Sequence, residues 1–151
     1  MSEHAKQREA GTRKILAAMT SQGLSFKTLA GKVGLSPFIV AAAVMGQMAL
    51  PKDAASRAAA ALALPDAEDF LAEIPMRGSL GEAVPTDPTI YRLYEIVQVY
   101  GTTLKALIHE EFGDGIMYAI NFKLDIARRA DPNGDRVVVT LDGKFLPYQW
   151  G

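Results

Sequence analysis

The stretch PTIYRLYEIVQVY, residues 88–100, leaves this chain few ways to fold alone. Asp87 is placed to cap a helix and Pro88 to take its first position, where a missing N–H costs least. Ile90, Tyr91, Leu93, Tyr94, Ile96, Val97, Val99 and Tyr100 then fall on every side of that helix. A helix that is apolar all round belongs in a large core or between subunits. A chain of 151 residues, 49% hydrophobic, can build a core, but a small half of it needs a partner to complete its burial. Self-association is therefore expected. Within the helix only Arg92 and Glu95 are charged, and a spacing of three puts them on one face. As a surface ion pair they would contribute less than about 1 kcal/mol. With Ile96 and Val99 continuing the stripe, such a pair is costly unless a partner or ligand compensates it. Arg92 would make a planar, fixed-charge anion receptor. Glu95 is suited to orient that guanidinium or to handle a proton.

The remaining pattern divides the chain. Residues 8–22 read as a helix, with Ile15, Leu16 and Met19 on one stripe and Arg8, Glu9, Arg13 and Lys14 around it. Gly23 stops it. Ser25 caps a second helix that buries Phe26, Leu29, Ala30 and Val33 and ends at Gly34. Ser36 and Pro37 open a third, running to Gly46, and a fourth is expected from near Pro51 to Leu64. Residues 65–84, rich in Pro, Gly and acids, read as connecting sequence. Beyond the apolar helix, Gly101 is expected to interrupt, with a further helical segment from Thr102 to Phe112. From Tyr118 the period becomes two: Ile120, Phe122, Leu124 and Ile126 alternate with Asn121, Lys123 and Asp125. Asn133-Gly134 signals a hairpin, Arg136–Leu141 a second strand, and Asp142-Gly143 a second turn. The expectation is an α+β protein. Residues 1–75 form a helix-turn-helix-like (lambda-repressor-like) helical domain, 76–84 a connector, and 85–151 a small domain of helix and antiparallel strands.

The segment LSFKTLAGKVGLSPFIVAAAVMG has helix-turn-helix spacing, with Gly34 at the turn. A recognition helix reads base edges with polar side chains near its N-terminus, but these positions hold Pro37, Phe38, Ile39 and Val40, then three alanines. Residues 1–75 carry eight Lys/Arg against seven Asp/Glu, whereas phosphate binding needs a concentrated basic face. Protein contact is the better reading, and no nucleic acid partner is expected. A helix-turn-helix DNA-binding regulator remains the alternative.

Residues 85–125, PTDPTIYRLYEIVQVYGTTLKALIHEEFGDGIMYAINFKLD, resemble the catalytic region of the cyanase (cyanate hydratase, cyanate lyase) family. The tail VVVTLDGKFLPY, 137–148, is similar to that family's ending, and the resemblance covers essentially the whole chain. It implies a lyase that decomposes cyanate with bicarbonate as co-substrate, through carbamate, to ammonia and carbon dioxide. It also implies that no metal or organic cofactor is needed. The C-terminal domain would interlock in a dimer, five dimers would form a homodecamer with active sites between subunits, and the N-terminal module would serve assembly. The family's catalytic arginine and glutamate match Arg92 and Glu95, in IYRLYE. Its third catalytic residue, a serine within GDGI-x-S-A-I, is replaced: this chain reads GDGIMYAI, with Tyr118 at the serine position. A phenol ring there is expected to fill or reshape a site made for tiny anions, and to weaken or abolish turnover. A catalytically inactive cyanase-like protein is thus a further alternative.

The absence of cysteine excludes disulfides, thiolate metal sites and a cysteine nucleophile. A net charge of −1 draws the chain toward neither nucleic acid nor anionic membrane. The N-terminal MSEHAKQREAGTRK has no apolar stretch of signal-peptide type, and no run approaches a membrane span. A soluble, cytoplasmic protein is expected, without a membrane partner. His109, Glu110, Glu111 and Asp114 lack HExxH spacing and a second histidine, and read as a solvated helix end rather than a metal site. Trp150 is expected to pack against a neighbouring subunit.

Overall fold

The computed structural model describes residues 2–78, 80 and 83–149; the expectation for Trp150 lies outside them. The chain forms two compact units, Met1–Gly81 and Glu82–Gly151.

The first unit is helical: α1 (Glu3–Ser21), α2 (Phe26–Val33), α3 (Pro37–Val44), α4 (Lys52–Ala61) and α5 (Ala67–Ala72). The caps foreseen for α2 and α3 are in place. Ser25 Oγ accepts from Thr28 N at 3.0 Å, and Ser36 Oγ from Ile39 N at 3.3 Å. Gly34 ends α2 at φ +81, a left-handed conformation that glycine adopts without steric cost. Across this turn α2 and α3 meet at 105°, within the range of a helix-turn-helix. Val40, Ala43 and Val44 of α3 are buried, and Ile39 packs against the same core. Much of this helix's apolar character is therefore used inside the module. Ile15, Leu29, Val33, Leu62 and Leu71 fill the core, while Ala54, Ala55, Ala58 and Ala59 let α4 approach closely.

Several expectations for this unit need correction, among them the third helix, which ends at Val44 rather than at Gly46. The first helix starts at Glu3, because Ser2 Oγ caps it by accepting from Ala5 N at 3.2 Å. The fourth helix ends at Ala61, and Leu62 to Leu64 form the turn that follows it. The stretch 65–84 includes α5, whose Ala67 and Leu71 are buried in the core. Within that helix Asp69 is exposed and Glu68 half-buried.

The second unit consists of α6 (Pro88–Phe112) and an antiparallel ribbon of β1 (Gly115–Arg129) and β2 (Arg136–Pro147). Asp87 Oδ1 accepts from Thr89 N and Ile90 N, both at 2.9 Å. Gly101 does not interrupt: α6 runs unbroken for 25 residues. One interior glycine costs about 1 kcal/mol relative to alanine, too little to break a helix held at both ends. Nor is Asp142-Gly143 a turn, because β2 continues to Pro147. Tyr118 pairs with Lys144 and Phe122 with Gly143, so Ala119, Ile120 and Asn121 bulge from β1 with no partner opposite. The side chain of Met117 lies where a Cβ at residue 143 would stand, so any larger residue there would displace it. The Asn133-Gly134 hairpin forms as expected, with Gly134 N donating to Asp131 O at 3.0 Å.

This second unit has almost no interior of its own. No residue of α6 is buried, and among the unit's described residues only Pro85 and Gly115 are. Leu93, Ile96, Val97, Val99, Leu104 and Leu107 are exposed, as are Val137 and Leu141 on the ribbon.

Candidate active site

Helix α6 sets the first two candidate residues. Its unbroken backbone places Arg92 and Glu95 one turn apart, and Arg92 Nη1 donates to Glu95 Oε2 at 3.0 Å. The guanidinium also lies 5.5 Å from the centre of the Tyr91 ring, within reach of a cation–π attraction. Tyr91 and Tyr94 approach at 6.1 Å between ring centres. In one chain the pair is open to solvent, with Arg92 69% and Glu95 47% exposed. As such it contributes less than about 1 kcal/mol to folding. Its surroundings are Leu93, Ile96 and Val99, exposed apolar side chains that water covers poorly.

Tyr118 stands on β1 at the last paired position before the bulge, half-buried. Among the described residues no hydrogen bond or ion pair joins it to Arg92 or Glu95. Among the described residues a hydrogen bond thus joins two of the three candidates, and none joins the third to them. The corner between α6 and β1 is nonetheless well defined. His109 Nε2 lies 3.2 Å from Gly115 O and 3.9 Å from Asp114 Oδ1. Phe112 and Phe145 stack at 5.2 Å. A Cβ at Gly115 would run into Leu146 O and the Phe145 ring, so the strand can enter the ribbon only through glycine. Tyr148 N donates to Asp114 O at 3.1 Å and closes the corner from the other strand.

Among the described residues no group of three or more His, Cys, Asp or Glu side chains is gathered to hold a metal ion. No single helix there is long and apolar enough to cross a membrane.

One charged residue behaves otherwise than the sequence reading has it. Arg8, assigned to the polar surround of α1, is 9% exposed. Its Nη1 donates to Phe70 O at 3.2 Å and to Glu73 Oε2 at 3.3 Å, and its guanidinium lies 4.4 Å over the Phe70 ring. The signal was available: position 8 precedes Ile15 by seven residues, two helical turns, and so shares its stripe.

Comparison with known proteins completes the picture. Residues 8–75 match the family model described as cyanate hydratase, N-terminal, and residues 82–150 that of the cyanate lyase C-terminal domain. The cyanate hydratase of Burkholderia mallei is 56% identical over 149 residues, covering 97% of this chain and 96% of the relative. That of Mycolicibacterium vanbaalenii is 54% identical over 144 residues, 95% and 94% of the two chains. Among solved structures, the cyanase from T. urticae superposes with a TM-score of 0.81 at 35% identity, covering 91% of this chain and 97% of its own. With both halves matched in order and relatives above half identity along nearly the full length, this chain belongs to the cyanate hydratase (cyanase) family.

Proposed function

We propose that this chain is a bicarbonate-dependent cyanate hydratase, a lyase whose active site is completed only when several copies assemble. A bicarbonate oxygen attacks the cyanate carbon. With one proton taken up, the adduct loses carbon dioxide and leaves carbamate. Carbamate takes up a second proton and separates into ammonia and carbon dioxide. Both reactants are anions that repel each other in water. Arg92 holds them together in a dry pocket, supplying proximity and charge stabilisation where negative charge gathers. Glu95 fixes the guanidinium and is placed to pass a proton. These steps are additions, eliminations and proton transfers, and the reading requires neither metal nor organic cofactor.

The observation that carries the assembly is the uncovered α6. An Arg–Glu pair on a helix with no buried residue becomes a low-dielectric site once neighbouring copies cover the surrounding apolar surface. Dimers through residues 85–151, five to a decamer, would supply that cover, with residues 1–75 serving assembly and 76–84 connecting. Tyr118, at the serine position of the family motif, would reach the site from another copy. Its ring takes up room that small anions need, so turnover is impaired. The cytoplasm is the compartment proposed.

Ammonia release from cyanate, with and without bicarbonate, tests the reading. The assembled protein should produce ammonia only with bicarbonate present, and Glu95→Gln should depress the rate at least about 10²-fold, the usual order for a general acid–base group. Equal rates without bicarbonate, or an unaffected Glu95→Gln variant, would overturn it.

A further inference from the structure

The helical unit holds a second feature that the cyanate chemistry does not use. Beside the N-terminal end of α1 lies a cavity of about 450 Å³, and Arg8 forms part of its wall. Only Nη1 of that guanidinium is satisfied, by Phe70 O and Glu73. Nε and Nη2 are buried and have no hydrogen-bond acceptor. A buried cation with unused donors is an expensive arrangement, because those N–H groups have given up water for nothing. Phe70 O and Glu73 serve Nη1 alone, and the Phe70 ring covers one face of the guanidinium, while Arg8 itself lines the cavity.

The charged residues that line the cavity are mostly basic. His4, Arg13 and Arg77 line it together with Arg8, against one carboxylate, Glu9, which already faces Arg13 at 3.8 Å. Among the described residues neither His4 nor Arg77 has an ion-pair partner. Gly46 forms another part of the wall. A Cβ there would stand 3.6 Å from Arg8 Nε and 3.7 Å from Thr12 Oγ1, so no side chain of residue 46 covers that flank of the guanidinium. The exposed N–H groups at the start of α1 add partial positive charge.

We propose that the cavity walled by Arg8 and Arg77 binds a small oxyanion, a phosphate or a carboxylate, on a unit of the chain that does not carry Arg92. The planar Arg8 fork takes one or two oxygens through Nε and Nη2, and Arg77 closes over the ligand from the exposed segment after α5.

The test is calorimetric titration of the full-length Arg92→Gln protein, which silences the candidate active site, with inorganic phosphate and separately with acetate. Chloride holds the ionic strength constant. Saturable binding near one ligand per chain is expected, weakened roughly tenfold by Arg77→Gln, the order of one charge-assisted hydrogen bond, and lost in Arg8→Gln. Binding of phosphate alone or acetate alone assigns the ligand's class. Should Arg8→Gln fail to fold, as read by circular dichroism, Arg77→Gln decides alone, because its side chain is exposed. Absence of saturable binding for both anions, or an affinity that Arg77→Gln leaves unchanged, would overturn the proposal.

Discussion

At the scale of single residues, what matters is how each charge is held. Arg92 offers two parallel donors in a plane, and Glu95 already takes one nitrogen at 3.0 Å. Lysine keeps the charge but loses the fork. Arg92→Lys should therefore lose about 10²–10³-fold in kcat while the protein still assembles; kinetics alongside a sedimentation profile would check this, and a variant within twofold of the parent would show that charge alone suffices. Gly11 makes a different point. A Cβ there would enter the Phe70 ring that stacks on Arg8. Gly11→Ala, despite its better helix propensity, should destabilise the helical unit by about 1–3 kcal/mol, the order of overpacking in a tight core, measurable as a lower denaturant midpoint.

At the scale of elements, α6 depends on its start. Among the described residues Asp87 is the sole side-chain cap at an end where two backbone N–H groups converge on one carboxylate oxygen. Asp87→Ala should cost about 1 kcal/mol and lower the melting temperature of the assembled protein. Much of this level was legible beforehand. Ser25, Ser36 and Asp87 marked helix starts because a capping side chain is a local device, and Asn133-Gly134 marked the hairpin for the same reason. What could not be read was non-local. Gly101 and Gly143 both looked like punctuation, yet each is overridden by its setting: one by a helix continuing on both sides, the other by Met117 packing over it across the ribbon. The Ala119–Asn121 bulge was invisible, since the alternation through Ile120 and Phe122 persists while the partner strand skips. Of the candidate site, Arg92 and Glu95 stood out as the only charges in the apolar stretch 88–100. Tyr118 was identified by motif alone, because no periodicity links a strand residue to a pair on the preceding helix.

At the scale of the whole molecule, the two units differ in self-sufficiency. The helical unit closes a core around Leu29 and Val33, both fully buried, whereas the second unit exposes most of its large apolar side chains. One helix and a two-stranded ribbon are marginal without cover, so folding of residues 83–149 and assembly should be a single event. The melting temperature should rise with protein concentration, and activity should vanish at the urea concentration where the assembly dissociates. A monomer retaining full activity would contradict this. The most direct measurement is ammonia release from cyanate plus bicarbonate, run side by side on this protein and its Tyr118→Ser variant, both confirmed as assembled. A fast variant and a slow parent are expected, with a gain of about 10²-fold, the order that follows when a small misfit at a reacting centre is removed. Silence from both, correctly assembled, would contradict the assignment of Arg92, Glu95 and position 118 to a cyanate-decomposing site.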